Sequence, residues 1–465
     1  MVVATRTTPV EDVTFIIDEV RRLGAAPSGS LSENDAWFSL PHPGGVGSML
    51  CGRAAGRRLE DLAEEAGRRA RLSRRVELET LRKILADILV ERFFKEKRPV
   101  TRQQIDRLLA STAKAARAVC TDLRHFIPCH LMTTKDPEEL SLGPVTFRRR
   151  AAFRRMVLDQ IRSRKTEDEE TPAQRRHVRN LLHDAVRYYR NFDWVAEVAI
   201  QNCDEDTSYK LAHKAVTSAL DCLHLIFGAE DTDQMRVGGP ALRHDKRAKL
   251  KIDVSGELKA SISIKWLGQG TFPDDWSHHL VDPYFARPLA LCAIALEVTV
   301  DPDLERPLSQ RFLDAAQWHG EAARDESPST RVVKYVTALE RMLMTEEKDD
   351  ISHQVSERVA ALCFNPPDVR DRESWRQKAR TAYDLRSKLV HGAMSPRSLE
   401  VWRGVRLGEE LGAALLCALN AFGEEGLRAT QMSSRRLSRW FAKVLEWADQ
   451  QTSSGLPDST IPSSS

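Results

Sequence analysis

From Leu258 to Trp266 apolar and polar residues alternate, with Leu258, Ala260, Ile262, Ile264 and Trp266 on one side of an extended chain. That spacing predicts a strand, and Ser255 with Gly256 before it predicts a hairpin turn. Further strands are expected at Phe126–Met132, Val145–Phe147 and Val195–Ile200, and helices at Val13–Leu23, Leu78–Phe94 and Thr207–Phe227. Beyond about Arg306 the period lengthens from two to nearly four. Helices are predicted there at Gln310–Ala323, Thr330–Met344, Ile351–Phe364, Arg370–Val390, Leu399–Phe422 and Arg435–Gln450. Their short connections favour an antiparallel bundle. The fold class is therefore mainly α, an N-terminal α+β region followed by a C-terminal antiparallel helical bundle. Expected boundaries are 1–75 for a tail and short helices, 76–304 for an α+β domain, 305–450 for the bundle and 451–465 for a disordered tail.

Composition sharpens this only in places. A chain of 465 residues with 42 % apolar content is too long for one core and rich enough for two or three. Eight scattered cysteines without a CxxC pair, and no basic-then-apolar leader, lead to the expectation of a reduced, cytoplasmic protein. No apolar run approaches the ~20 residues of a membrane span, so no membrane role is expected. A net charge of +3 argues against a polybasic nucleic-acid coat. Locally, Phe147 to Lys165 carries Arg148, Arg149, Arg150, Arg154 and Arg155 interleaved with Phe147 and Phe153, a weak RNA-binding candidate. Glu167, Asp168, Glu169 and Glu170 follow directly and can neutralise it. Gly44, Gly45 and Gly47 lack the Gly-Lys-Ser/Thr of a nucleotide loop. His278 and His279 near Asp274 and Asp275 lack the i, i+4 pairing of metal ligands. No metal or cofactor is expected.

The sharpest candidate lies in Ala379 to Met394, ARTAYDLRSKLVHGAM. On a helix, Trp375, Ala379, Ala382, Tyr383, Arg386, Leu389 and Val390 share a face, so Arg386 is the cation that breaks an apolar stripe. His391 follows five residues later. On an unbroken helix the two side chains diverge, but Gly392 supplies a left-handed helix end that leaves His391 free to turn back. One Arg-x4-His pair is about what chance allows, so context decides. Arg124 and His130 flank Pro128 in a strand-like run, and Arg176 and His183 lie in a polar helix without a terminator. Two further charges point inward. Glu340 shares a face with Val333, Val336, Leu343 and Met344, and Arg358 with Ile351, Val355, Val359 and Leu362. A Glu340–Arg358 pair would satisfy both and leave Arg386 to receive phosphate. A Glu340–Arg386 pair would instead make the set scaffold.

The run YDLRSKLVHG, with RVVKYVTALERMLM and SERVAALC upstream, resembles the Apea-like branch of the HEPN superfamily across about the last third of the chain. The residue after the arginine, often Asn, Asp or His there, is Ser387 here. The resemblance implies a metal-independent endoribonuclease of prokaryotic antiviral or toxin-type defence, leaving 2′,3′-cyclic phosphate and 5′-hydroxyl ends. It implies RNA as partner, a homodimer across the motif helices and the α+β region as a sensor. Arg386 and His391 would be catalytic, with Tyr383, Ser387, Glu340 and Arg358 in support. The alternative is a non-catalytic HEPN module for nucleotide binding or dimerisation. A DNA-binding regulator lacks a helix-turn-helix with a basic recognition helix.

Overall fold

The computed structural model describes residues 8–25, 37–132, 137–163, 171–238, 244–252, 258–266, 280–345, 350–366 and 368–454. Helices dominate. The chain divides into two compact units, Met1–Leu123 with Ile200–Leu211, and Arg124–Ala199 with Ala212–Ser465.

In the first unit α1 (Pro9–Gly24) starts on a capping box, in which Thr8 and Glu11 satisfy each other's backbone amides. A hairpin of β1 (Trp37–Pro41) and β2 (Ser48–Gly52) follows, then α2 (Arg53–Ala70) and α3 (Leu78–Leu89). The glycine-rich segment joins the two strands, with Gly45 and Gly47 at positive φ, so its glycines serve a turn. The helix expected to run to Phe94 changes at Val90 into a π-helical turn, Val90–Lys95, before α4 (Arg102–Ala118). Val13, Leu59, Leu72, Val76, Leu85 and Leu108 share one core. The expected boundary after residue 75 falls inside it.

A five-stranded sheet of order β4-β5-β6-β3-β7 lies mostly in the second unit, from β3 (Thr121–His130), β4 (Glu139–Leu142), β5 (Val145–Arg149), β6 (Trp194–Cys203) and β7 (Arg236–Val237), with the start of β3 and the end of β6 counted in the first. Helices α5 (Arg150–Ser163), α6 (Pro172–Tyr189), α7 (Glu205–Phe227) and α8 (Ala229–Thr232) are interspersed. The alternating run is β9 (Leu258–Trp266), paired antiparallel with β8 (His244–Ile252). The expected turn at Ser255 and Gly256 lies outside the described residues, as do Glu167 to Glu170 and the His278, His279 cluster.

The helices of the last third are α9 (Pro283–Val300), α10 (Pro307–Arg324), α11 (Pro328–Leu343), α12 (Ile351–Cys363), α13 (Val369–Val390), α14 (Glu400–Glu410), α15 (Gly412–Arg428) and α16 (Ser434–Ser454). Two expectations are corrected. The helix expected over Leu399–Phe422 divides at Leu411 into α14 and α15, and α16 continues four residues into the expected tail. α9 is long and apolar enough to cross a membrane, contrary to the sequence reading that no run approaches that length. It packs against α10 and α15 and buries Leu291, Cys292, Ala295 and Leu296.

Helices α11, α13 and α14 pack mutually around Val332, Tyr335, Leu385, Val401 and Val405, with Leu389 and Met394 against them. Close approach needs the glycines on α14. A Cβ on Gly408 would stand 2.7 Å from Tyr335 Cβ, and one on Gly404 would stand 2.9 Å from Val332 Cγ2. Alanine normally stabilises a helix interior relative to glycine by about 1 kcal/mol. Here the sign reverses, because overpacking costs ~1–3 kcal/mol. Gly408→Ala therefore lowers stability in chemical denaturation, whereas a stabilised variant would show that α14 can shift without cost.

Candidate functional site

Asp368 caps the start of α13, accepting from the Arg370 and Asp371 amides, and the helix ends where expected. His391 is the C-cap, its amide bonded to the Ser387 carbonyl at 3.0 Å. Gly392 adopts φ 73°, the left-handed conformation its sequence position predicted, and the Met394 amide closes on the Lys388 carbonyl at 3.1 Å.

The buried stripe of α13 differs from the expected face. Arg372, Ala379, Ala382 and Leu385 are buried, whereas Val390 is 51 % exposed. Arg386 is also not the sole inward cation. Arg372 lies deeper, paired with Asp449 at 2.8 Å and set over the Phe364 ring. Arg376 and Arg380 both reach Glu357, and Lys378 pairs with Glu410.

Arg386 is half-buried, its Nη2 3.7 Å from Glu340 Oε2 and its guanidinium 5.7 Å from the Tyr383 ring centre. Its Nε is buried without a hydrogen-bond partner. Burial, then the Glu340 charge and a hydrogen bond with that carboxylate, raise the Tyr383 phenol above its ordinary pKa. Glu340, Tyr383 and Arg386 thus form one cluster. His391 is exposed, and among the described residues nothing hydrogen-bonds its imidazole. Within one chain the arginine and histidine are not in contact through any hydrogen bond. Ser387 lies half-buried between them.

The expected Glu340–Arg358 pair does not form. Arg358 points inward as predicted, 8 % exposed, but donates to the Leu343 carbonyl and stacks 4.5 Å over Phe441. Arg311 joins it at the same helix end, donating to the Arg341 and Met344 carbonyls at 2.7 Å each. The open carbonyls at the C-terminus of α11 accept both cations. Burial lowers Arg358 to about 10, with the Arg311 charge adding to the effect. With Arg358 satisfied by backbone, Glu340 is left for Arg386.

The basic stripe is largely met by its neighbours. Arg148 pairs with Glu197 and Glu139, Arg150 with Asp193 and Arg155 with Glu138, while Arg149 lies 4.4 Å over Trp194. Arg154 is exposed. Phe147 and Phe153 are buried, so neither is an exposed base-stacking surface. Of the other Arg and His pairs, Arg124 reaches Glu197 at 3.1 Å while His130 is buried against Phe192, and Arg176 and His183 lie exposed on α6.

Sequence patterns did not reveal the deepest titratable groups. Asp221 on α7 is 1 % exposed and pairs with Arg324 at 2.8 Å. Burial nevertheless raises its carboxyl to about 7. His319, packed 5.0 Å from the Tyr335 ring, is pushed down to about 4 by burial and the Arg324 and Arg331 charges. Their only sequence signal is an inward position on a helix, and full burial keeps them from a polymeric substrate.

Compared with family models, curated proteins and solved structures, the chain matches none.

Two predictions follow from this geometry. Arg358→Ala loses a buried charge-assisted bond and a ring contact, costing about 2–4 kcal/mol, whereas Arg386→Ala loses a long, partly exposed pair and costs under ~1 kcal/mol in denaturant titration. For Asp221, the raised native pKa contributes stability at acid pH that is lost as pH rises through about 7. The stability of the parent minus that of Asp221→Asn therefore falls between about pH 4 and about pH 7 and is flat above. His319 contributes in the opposite sense but cancels in this difference, and a flat difference would refute the assignment.

Proposed function

We propose that the chain is a metal-independent endoribonuclease of the HEPN type, acting in prokaryotic antiviral or toxin-type defence and using Arg386 and His391. The observation that supports it is the end of α13, where a half-buried arginine is steadied by Glu340 and Tyr383 and an exposed histidine caps the same helix.

RNA carries its own nucleophile. The 2′-hydroxyl attacks the adjacent phosphorus and the 5′-oxygen leaves, giving a 2′,3′-cyclic phosphate and a 5′-hydroxyl. Proton transfer suits an imidazole, the side chain that ordinarily titrates nearest neutrality. The charge on the phosphoryl oxygens suits a guanidinium. Its five N–H donors exceed what one carboxylate at 3.7 Å can engage. Glu340 and Tyr383 then orient the fork while donors remain for phosphate. A homodimer across α13 supplies two histidines, one to take the 2′-hydroxyl proton and one to protonate the leaving oxygen. The sheet-bearing region serves as the sensor in this scheme.

A second reading has a specific observation in its favour. Because Glu340 faces Arg386, the cluster can serve as scaffold in a non-catalytic HEPN module that binds a nucleotide or dimerises.

Incubation of mixed cellular RNA with purified protein in EDTA separates the two. The nuclease gives cyclic-phosphate ends, and Arg386→Ala and His391→Ala each slow cleavage by about 100-fold or more. No cleavage by the parent, together with lost dimerisation in the variants, supports the scaffold.

A further inference from the structure

On α14, Val401, Gly404, Val405 and Gly408 face inward. The opposite side is unusual. Leu399, just before the helix, is 86 % exposed and Trp402 is 53 % exposed, with Arg403 and Arg406 exposed beside them. The spacing i, i+3, i+4 and i+7 places all four on one stripe. A single exposed apolar side chain would be ordinary, but Leu399 and Trp402 together, flanked by Arg403 and Arg406, make an apolar patch with a charged rim, the pattern of an interaction site. Among the described residues no ring stacks on Trp402, and no carboxylate pairs with Arg403, Arg406 or the nearby Arg397. Six of the seven cations of the adjacent helix behave otherwise, since Arg372, Arg376, Lys378, Arg380, Arg386 and Lys388, though not Arg370, have acidic partners.

The stripe lies beside the end of α13. Leu389 and Met394, on either side of His391, pack on the same cluster as Val401 and Val405. Resting on the nuclease reading above, we propose that Trp402 is a stacking platform for an unpaired RNA base, with Arg397, Arg403 and Arg406 holding the flanking phosphates. The site then takes single-stranded RNA, because a paired base offers no free face to an indole.

Charge selects among occupants. A second copy docking symmetrically here would set these arginines against their own equivalents. A lipid surface needs a broad apolar face, and the apolar face of α14 is spent on the bundle. A polyanion with exposed aromatic bases uses both the indole and the arginines.

The test measures binding of a short fluorescent oligoadenylate by anisotropy, in a His391→Ala background to prevent cleavage. Trp402→Ala weakens binding by about 5- to 100-fold and Trp402→Phe restores most of it. Arg403→Gln and Arg406→Gln each reduce the slope of log affinity against log salt by about 0.7. Binding of the matching duplex is unaffected by Trp402→Ala. Parent protein that cleaves RNA while Trp402→Ala leaves oligoadenylate affinity and KM unchanged overturns the platform and spares the nuclease. Trp402-dependent binding by a parent that never cleaves sinks the nuclease and keeps the platform. A change in sedimentation or in binding to anionic vesicles, without a change in RNA affinity, also overturns it.

Discussion

The close contact between α14 and α11 is the constraint on which the candidate site depends. Gly404 and Gly408 omit the side chains that Val332 and Tyr335 would otherwise meet, so the two helices approach closely enough to enclose Leu385 from the third side. Dispersion falls steeply with separation, so a cluster this small holds together only at contact distance. Leu385 precedes Arg386, and Leu389 precedes the helix end. Fixing those two residues fixes the direction in which the arginine leaves α13 and the place where His391 caps it.

A second constraint is electrostatic. Three cations, Arg311, Arg358 and Arg386, lie around α11, which offers one inward carboxylate, Glu340. The open carbonyls at the C-terminus of α11 resolve the competition by taking Arg311 and Arg358. Of the three cations Glu340 then faces Arg386, at a distance that orients more than it neutralises. The same arrangement would serve an enzyme that needs a positioned cation and a scaffold that needs a satisfied one. Chemistry separates them, since a phosphate can engage the donors Glu340 leaves open.

The surface beside this cluster has a different character. Along α13 almost every cation is matched by an acid on a neighbouring turn or helix, as in an ordinary solvated face. Along α14 the arginines have no such partners among the described residues and share their stripe with an indole. Tyr335 also links the triad of helices to the buried Asp221, Arg324 and His319 group, through its contact with His319.

Much of the secondary structure was legible because its causes are local. The alternation over Leu258–Trp266, the limits of α13 and the left-handed Gly392 follow from side-chain period, caps and backbone sterics within a few residues. The break at Leu411 and the π-helical turn after Leu89 were not legible, because an apolar seam continues through both. The sequence by itself determined that Arg386 sits inward near a helix end with His391 beside that end, and that Glu340 and Arg358 also point inward. Only the tertiary structure decided their partners. An inward charge is a property of one helix, whereas its partner depends on how neighbouring helices are rotated and how closely they approach. That rotation set Arg358 on backbone carbonyls and Phe441, left Glu340 facing Arg386, and turned Trp402 outward.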